Sequence, residues 1–270
     1  METQAGIASG GKAGGGTLPP RAIAVLRGVD KSFPNGVVAV KGLDLDIREG
    51  EFLSLLGPSG CGKSTALRML ADLIPPSQGT IVWREKRAPG DLSFVFQEPT
   101  LMPWTTVANN VRLPLTLLGR EREAPARVEE TLERVGLGAF AATYPRELSG
   151  GMKMRVSIAR ALITNPKLLL MDEPFAALDE ITRFKLNDDL LALWSELRKT
   201  VVFVTHSVFE SVYLSQRIVV MTSRPGRIFK EIVIDAPYPR DESFRTSAEY
   251  GALCRTVSQA LAQASGEHHA

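Results

Sequence analysis

The chain has 270 residues, 44% hydrophobic and 23% charged, which allows one principal domain with a large core and excludes fibrous, collagenous and disordered acidic classes. A net charge of +2 is too small to indicate binding to nucleic acid. The two cysteines, Cys61 and Cys254, cannot form a disulfide framework, so the composition is typical of a reducing compartment such as the cytoplasm.

The first twenty residues contain six glycines and almost no large apolar side chain. They lack the continuous apolar stretch of a secretory signal. No window of the sequence approaches the roughly 18–20 consecutive apolar residues of a membrane span. We therefore predict a disordered leader at 1–20, a folded domain over 21–265 and a short tail at 266–270.

Residues 23–56 contain alternating or short apolar runs interrupted by Pro34-Asn35-Gly36 and Glu49-Gly50, which predicts strands joined by turns. A phosphate-binding pattern, G-x-x-x-x-G-K-[ST], follows at 57–64 between an apolar strand (EFLSLL) and a helical pattern (TALRMLADLI). Its glycines let backbone N–H groups surround phosphate oxygens at a helix N-terminus, whose dipole favours anions. A glycine-rich turn that binds nothing is the alternative, and these flanks disfavour it.

Within this loop, Lys63 is predicted to reach the β- and γ-phosphates of ATP, and the Ser64 hydroxyl to bind Mg²⁺. Cys61 is interpreted as a tolerated small residue rather than a redox switch. The residues predicted to contact the nucleotide here are Gly57, Pro58, Ser59, Gly60, Cys61, Gly62, Lys63, Ser64 and Thr65.

Four later runs are short and wholly apolar, as is typical of strands covered on both faces of a parallel sheet: 92–96, 168–171, 201–204 and 218–221. A helix is predicted over 181–198, and alternating strands and helices indicate an α/β layer architecture. The apolar face of that helix contains Leu186, Leu190, Leu193, Trp194 and Leu197.

Residues 105–147 break this alternation, because they contain no strong strand pattern. Ala124, Val128, Leu132 and Val135 recur there at helical spacing, so we predict a helical insertion in the core, with approximate bounds 99–163. A terminal helix is predicted over 247–262, with Tyr250, Leu253, Val257 and Leu261 on its packed face.

The sequence LLLMDEP places Asp172 and Glu173 at the carboxyl end of an apolar strand, the edge of a parallel sheet at which ligands bind. Asp172 is predicted to hold Mg²⁺ directly or through water. Glu173 is predicted to orient, and partly deprotonate, the water that attacks the γ-phosphate. Acidic residues are also common on solvated loops after strands, and the upstream phosphate loop favours the catalytic interpretation.

The segment 148–155, LSGGMKMR, resembles the LSGGQ-type signature of ABC transporter ATPases. The resemblance implies a second phosphate site, in which Ser149, Gly150 and Gly151 face the γ-phosphate held by a second copy of the chain. ATP would then hold two copies together. Met154 stands where members of the family often have glutamine or another polar residue. The alternative for Ser149 is an ordinary helix N-cap.

Further motifs of the family follow in order. Gln97, after LSFVF, resembles the glutamine that senses Mg²⁺ and the attacking water, and His206 resembles the histidine that contacts the γ-phosphate. Asp179, in PFAALDE, resembles the aspartate that crosses the dimer interface; it equally fits a helix N-cap. Phe33 resembles the aromatic residue that stacks on adenine, with a core or turn-packing role as its alternative.

The resemblance covers about residues 22–235. It implies a P-loop NTPase (RecA-like) core with an N-terminal antiparallel β-subdomain and an inserted α-helical subdomain. It also implies an ATPase held at the cytoplasmic face of the inner membrane by permease subunits. It further implies a solute-binding protein that delivers the solute to these permease subunits. The exposed run Leu101-Met102-Pro103-Trp104 is a candidate seat for the permease, and ordinary packing of the insertion is the alternative.

Three phrases, FQEPTLMPWTTVANNV, MDEPFAALDEITR and THSVFESVYLSQRIVVMTSRPGRI, resemble the ATPases of nitrate, sulfonate and taurine importers. An exporter ATPase with the same core stays an alternative. A soluble ABC-type ATPase acting on nucleic acid is disfavoured, because no long coiled coil separates Gln97 from the signature. The LSGG segment and His206 disfavour a P-loop kinase or GTPase.

Overall fold

The computed structural model describes residues 22–266. The leader predicted at 1–20 and residues 267–270 of the tail predicted at 266–270 therefore lie outside the described residues. Within 22–266, none of the helices combines the length and the hydrophobicity that crossing a bilayer requires.

A six-stranded sheet forms the centre of the domain, in the order β5-β6-β7-β3-β8-β9. Its first five strands in that order are parallel, and β9 closes one edge antiparallel to β8. The strands are β3 (Phe52–Leu56), β5 (Leu92–Val95), β6 (Leu168–Asp172), β7 (Thr200–Thr205), β8 (Arg217–Met221) and β9 (Ile228–Val233).

A smaller antiparallel sheet precedes it, in the order β2-β1-β4, with β1 (Ala22–Ser32), β2 (Val38–Arg48) and β4 (Gln78–Trp83). Alternate residues of β3 enter two cores: Phe52 and Leu56 pack on one face, and Leu53 and Leu55 pack between the sheets. Alternate residues of β6, β7 and β8 enter the same two cores, which confirms the prediction that these apolar runs are covered on both faces. The predicted α/β fold with an antiparallel β-subdomain is also confirmed.

The helices are α1 (Lys63–Leu70), α2 (Val107–Leu117), α3 (Ala124–Arg134), α4 (Gly150–Leu162), α5 (Glu180–Leu197), α6 (Val208–Leu214), α7 (Glu242–Arg245) and α8 (Ala248–Ser265). Helices α2, α3 and α4 share a separate apolar core that includes the predicted face Ala124, Val128, Leu132 and Val135. No strand lies between β5 and β6 among the described residues, as the sequence predicts for the insertion.

Three details differ from the sequence-based expectations. The strand predicted over 92–96 ends at Val95, and Phe96 is exposed, because β5 is an edge strand that pairs with β6 alone. Helix α2 and strands β4 and β9 have no counterpart among the predicted elements. On α8, Tyr250 and Val257 are buried as predicted, but Cys254, Ala260 and Ala264 complete the buried face, while Leu253 and Leu261 are only half-buried.

Candidate active site

The phosphate-binding pattern forms a loop between β3 and α1, at the carboxyl end of the parallel sheet. Gly60 and Gly62 have φ values of 74° and 100°, a region that L side chains rarely adopt. A Cβ at Gly62 would lie 2.6 Å from the Ala39 carbonyl oxygen and 2.8 Å from Val40 Cγ2. The loop can therefore pack closely against β2 only with glycine at this position.

Lys63 lies inside this loop and is only 3% exposed. Its Nζ donates to the carbonyl oxygens of Gly57 (2.7 Å) and Pro58 (3.0 Å). The same nitrogen lies 3.6 Å from Glu173 Oε1. The ammonium group is therefore fixed between the loop and the Glu173 carboxylate. From this position it can donate to a phosphate held by the loop.

Asp172 ends β6 next to the start of α1. The Ser64 hydroxyl donates to Asp172 Oδ1 at 2.6 Å. Burial raises the pKa of Asp172, and the hydrogen bond from Ser64 opposes that shift. A hydroxyl and a carboxylate side by side are hard oxygen donors of the kind that Mg²⁺ prefers, so this pair fits the metal role predicted from the sequence.

Glu173 follows β6 in the left-handed backbone region, with φ of 46°. Its N–H donates to the Val204 carbonyl oxygen (3.0 Å), which fastens it to the neighbouring strand β7. His206 follows β7, and its Nδ1 lies 2.9 Å from Glu173 Oε2. The His206 side chain is 48% exposed, so it is open to solvent rather than part of the core.

The predicted signature residues form a second feature. Ser149 caps α4, with its Oγ accepting from Met152 N–H at 3.3 Å, and Gly150 and Gly151 begin the helix. A Cβ at Gly151 would lie 2.8 Å from Thr182 Cγ2, so glycine allows α4 and α5 to meet at their N-termini. The helix N-cap interpretation of Ser149 is thus confirmed, and its phosphate role stays a prediction.

Asp179 caps α5, and its Oδ1 accepts from Thr182 N–H at 2.9 Å. This backbone hydrogen bond lowers the pKa of Asp179, which keeps the carboxylate charged. Among residues 22–266, no hydrogen bond or ion pair joins Ser149 or Asp179 to Lys63, Glu173 or His206. Within one chain, the described residues thus show no polar contact between the two features.

Phe33 follows β1 in a turn closed by its N–H donating to the Val37 carbonyl oxygen (2.9 Å). The side chain is 36% exposed, and Lys31 Nζ lies 5.5 Å from the ring centroid. A core role is wrong for this residue. The exposed ring is on the β1–β2 hairpin, whose second strand contacts the phosphate loop at Gly62.

Comparison with known proteins assigns this arrangement to a family. The model of the family described as ABC transporter matches residues 40–176. The chain belongs to the ABC transporter ATPases. An uncharacterized ABC transporter ATP-binding protein of Methanocaldococcus jannaschii is 49% identical over 220 residues, with 80% of this chain and 81% of the relative covered.

Two further comparisons describe relatives of this ABC ATPase. The aliphatic sulfonates import ATP-binding protein SsuB of Bacillus licheniformis is 45% identical, with 86% of this chain and 91% of the relative covered. An ATP-binding cassette solved as a dimer in a post-hydrolysis state with ADP and Pi is 35% identical, with a TM-score of 0.67; the match covers 79% of this chain and all of that one. These similarities show that the chain is an ATP-binding and ATP-hydrolysing cassette.

Gln97 stands apart from the rest of the site in this ABC ATPase. It lies two residues beyond the end of β5 and is exposed. Among the described residues, no side-chain hydrogen bond links Gln97 to Ser64 or Asp172. The backbone just after it is held by Arg160 of α4, which donates to the carbonyl oxygens of Pro99 and Thr100, both at 2.8 Å. The catalytic and metal roles of Gln97 stay predictions.

Two residues of the ABC ATPase contact the phosphate loop although the sequence does not predict them as part of the site. Arg224 Nε donates to the Gly60 carbonyl oxygen at 2.9 Å. Gly226 lies so close that a Cβ there would be 1.9 Å from the Cys61 carbonyl oxygen. A Pro-Gly turn signal in the sequence SRPGRI marks this segment, but nothing local shows that it meets a loop more than 160 residues earlier.

Cys61 is enclosed by these contacts and is only 1% exposed. Burial raises the pKa of its thiol, an effect that the charge of Lys63 partly opposes. The thiol therefore stays protonated near neutral pH, which makes it a poor nucleophile. This agrees with the interpretation of Cys61 as a small packing residue.

Arg224→Gln is expected to weaken ATP binding by about two- to tenfold, because the substitution removes a positive charge and a charge-assisted hydrogen bond from the outside of the loop. Titration with a fluorescent ATP analogue measures the effect. Arg227→Gln is the matched control, because Arg227 is exposed on the same turn and has no side-chain hydrogen bond to the phosphate loop. Equal dissociation constants for the two variants would contradict this role for Arg224.

Proposed function

We propose that this ABC ATPase energises the import of a small solute, such as nitrate, a sulfonate, taurine or a related organic compound. Relatives named as aliphatic sulfonates import proteins support this proposal, since they are 41–45% identical and match 86–92% of this chain. The ATPase would sit at the cytoplasmic face of the inner membrane, bound to permease subunits that receive the solute from a binding protein. A solved relative, cbiO1 of Clostridium perfringens, is part of the ABC transporter complex cbiONQ.

The observation that carries the catalytic part of the proposal is the contact of Glu173 with both His206 (2.9 Å) and Lys63 (3.6 Å). Glu173 orients the attacking water and accepts its proton, while His206 holds the carboxylate and contacts the γ-phosphate. Lys63 and the loop amides stabilise the phosphate charge. Ser64, Asp172 and Gln97 would hold Mg²⁺, which would supply further charge neutralisation.

The active unit in this proposal is a dimer of two identical chains. Ser149, Gly150 and Gly151 at the start of α4 would bind the γ-phosphate held by the other copy, and Asp179 would cross the interface. Among the described residues, the side chains of Ser149 and Asp179 bond to the first turns of their own helices and not to Lys63, which supports a site completed by another copy. The solved cassette dimer with ADP and Pi is a relative in which two copies associate.

The permease seat is proposed at 101–104, beside α2. Asn110 of α2 is fully buried; its side chain accepts from Met102 N–H (2.8 Å) and donates to Met102 O (3.1 Å). This fixes the backbone of the segment, while the Trp104 side chain stays 76% exposed. An exposed tryptophan on a segment whose backbone is fixed is a suitable interface anchor.

Trp104→Ala is expected to reduce recovery of co-expressed permease by about tenfold or more, because central aromatic anchors commonly contribute about 2 kcal/mol or more. ATP binding should be unchanged. Phe229→Ala, which removes an exposed aromatic ring from β9, is the matched control. Normal permease recovery with Trp104→Ala would place the contact elsewhere.

The transport proposal is tested in cells by replacing the gene with the Glu173→Gln variant and supplying taurine, an alkanesulfonate or nitrate as the sole sulfur or nitrogen source. Growth and uptake of the transported solute are expected to stop. Undiminished uptake of all three, or accumulation of a solute inside the cells, would indicate a different solute or an exporter.

A further inference from the structure

A second pocket lies at the opposite edge of the parallel sheet, with a volume of about 390 Å³. It borders the residues at or just before the starts of β3, β6 and β7, namely Gly50, Lys167 and Thr200. The nucleotide site lies beyond the carboxyl ends of the same three strands. Strands of five or six residues separate the two edges by roughly 15–20 Å, so an occupant of this pocket would not touch the nucleotide.

Positive charge dominates the lining of this pocket, which we call the basic pocket. Three carboxylates also line it: Glu49, Glu85 and Asp91. The cationic side chains are twice as many: Arg84, Lys86, Arg87, Lys167, Arg198 and Lys199.

The ion pairs of the basic pocket leave several of these cations uncompensated. Lys167 Nζ forms ion pairs with Glu85 Oε2 (3.0 Å) and Asp91 Oδ2 (3.6 Å). Arg87 forms an ion pair with Asp72, which lies outside the pocket. None of the ion pairs formed by residues 22–266 includes Lys86, Arg198 or Lys199. Glu49 is also without an ion pair there, so three unpaired cations face one unpaired carboxylate. The C-terminal dipole of α5, which ends beside Arg198, offsets only about half a charge.

Two of these cations, Arg198 and Lys199, lie on backbone that is fixed at the end of α5. Arg198 caps α5 in the left-handed conformation (φ 49°) and lies 5.2 Å from the centroid of Trp194. The Lys199 carbonyl oxygen accepts from Trp194 Nε1 at 2.8 Å. Partial burial and the nearby charge of Arg127 lower the pKa of Lys199, so a bound anion would relieve an unfavourable environment.

The floor of the basic pocket is apolar, formed by Ile23, Trp83, Leu168 and Leu197. Arg87 stacks on the Trp83 ring, with 4.2 Å between the guanidinium carbon and the centroid. Cations above an apolar floor suit an organic anion better than a bare inorganic ion, and the volume is within the range of small-molecule sites. We propose that the basic pocket binds a small organic anion carrying two or more negative charges, independently of ATP.

Such a ligand would connect two layers of the domain. Trp83 and Lys86 belong to the end of β4 and the turn after it, and Arg198 and Lys199 lie between α5 and β7. An anion contacting both groups would join the antiparallel sheet to the core sheet. Binding to the folded state alone would also raise the melting temperature.

The test uses isothermal titration calorimetry of the whole protein with citrate, at low ionic strength and in buffer freed of divalent metal ions beforehand. The double variant Arg198→Gln/Lys199→Gln is expected to weaken binding by about tenfold or more, because two charge-assisted contacts are lost. Lys86→Glu, on the other wall of the pocket, should also weaken citrate binding. Because Lys86 is exposed, this variant should fold normally, so it tests the site even if the double variant fails to fold.

Two controls separate this site from other anion binding. Lys63→Ala removes the cation of the phosphate loop and should leave citrate binding within about twofold of wild type. Lys230→Gln/Arg255→Gln makes the same change in net charge at exposed positions outside the basic pocket. The proposal is overturned if citrate does not bind, if Lys63→Ala abolishes its binding, or if the control pair weakens it as much as the pocket variants.

Discussion

Replacing Glu173 with Gln is expected to lower ATP turnover by about a hundredfold or more while ATP still binds. The amide cannot accept a proton from water, and general-base catalysis by a positioned carboxylate contributes about 10²–10⁴-fold. The amide does preserve the size of the side chain and a polar contact with His206 Nδ1. Because hydrolysis no longer separates the copies, the variant should accumulate as an ATP-dependent dimer.

Phosphate release measures the turnover of Glu173→Gln, and size-exclusion chromatography with ATP and Mg²⁺ measures its association. Glu180→Gln, which alters an exposed carboxylate in the first turn of α5, is the matched control and should behave as wild type. If Glu173→Gln turned over ATP at the wild-type rate, Glu173 would not be the general base. A dead enzyme that stays monomeric with saturating ATP and its permease present would refute the shared-site dimer.

Lys63→Ala is expected to weaken ATP binding by about ten- to a hundredfold, because a charge-assisted hydrogen bond contributes about 1.5–3 kcal/mol. The substitution also removes the donor that serves the carbonyl oxygens of Gly57 and Pro58. Some loss of stability should therefore accompany the loss of affinity.

A titration of ATP binding, paired with the melting temperature of the same sample, separates these two effects. Lys230→Ala, an exposed lysine on β9, serves as the control for charge. The assignment of Lys63 would be wrong if a folded Lys63→Ala protein bound ATP with the wild-type dissociation constant.

Much of the fold is visible in the sequence because its signals are local. The buried strands β6, β7 and β8 are continuous apolar runs, and the phosphate loop has strand and helix patterns on either side. The α/β prediction with an antiparallel β-subdomain is confirmed. The contact between Glu173 and His206 results from the pairing of adjacent parallel strands, since residues after their carboxyl ends meet at one edge.

Other features depend on contacts that the sequence does not encode locally. Helix α2 contains Pro114, which is unfavourable in a helix interior, and buries Asn110, a polar residue whose partner is the backbone of Met102. Arg224 and Gly226 meet the phosphate loop only through the sheet order. The exposed Gln97 is recognisable by resemblance alone, because its position on a loop after an edge strand does not distinguish it from other loop glutamines.

The pairing of β6 with β7 also restricts how this protein can change. Asp172 pairs with Val204, and this register fixes the positions of Asp172 and Glu173 after β6 relative to His206 after β7. Inserting or deleting a single residue within either strand would displace the later residues of that strand by about 3.3 Å and turn each side chain to the opposite face. Length variation in this part of the chain is therefore confined to its connecting loops, and the two strands can change only by substitution.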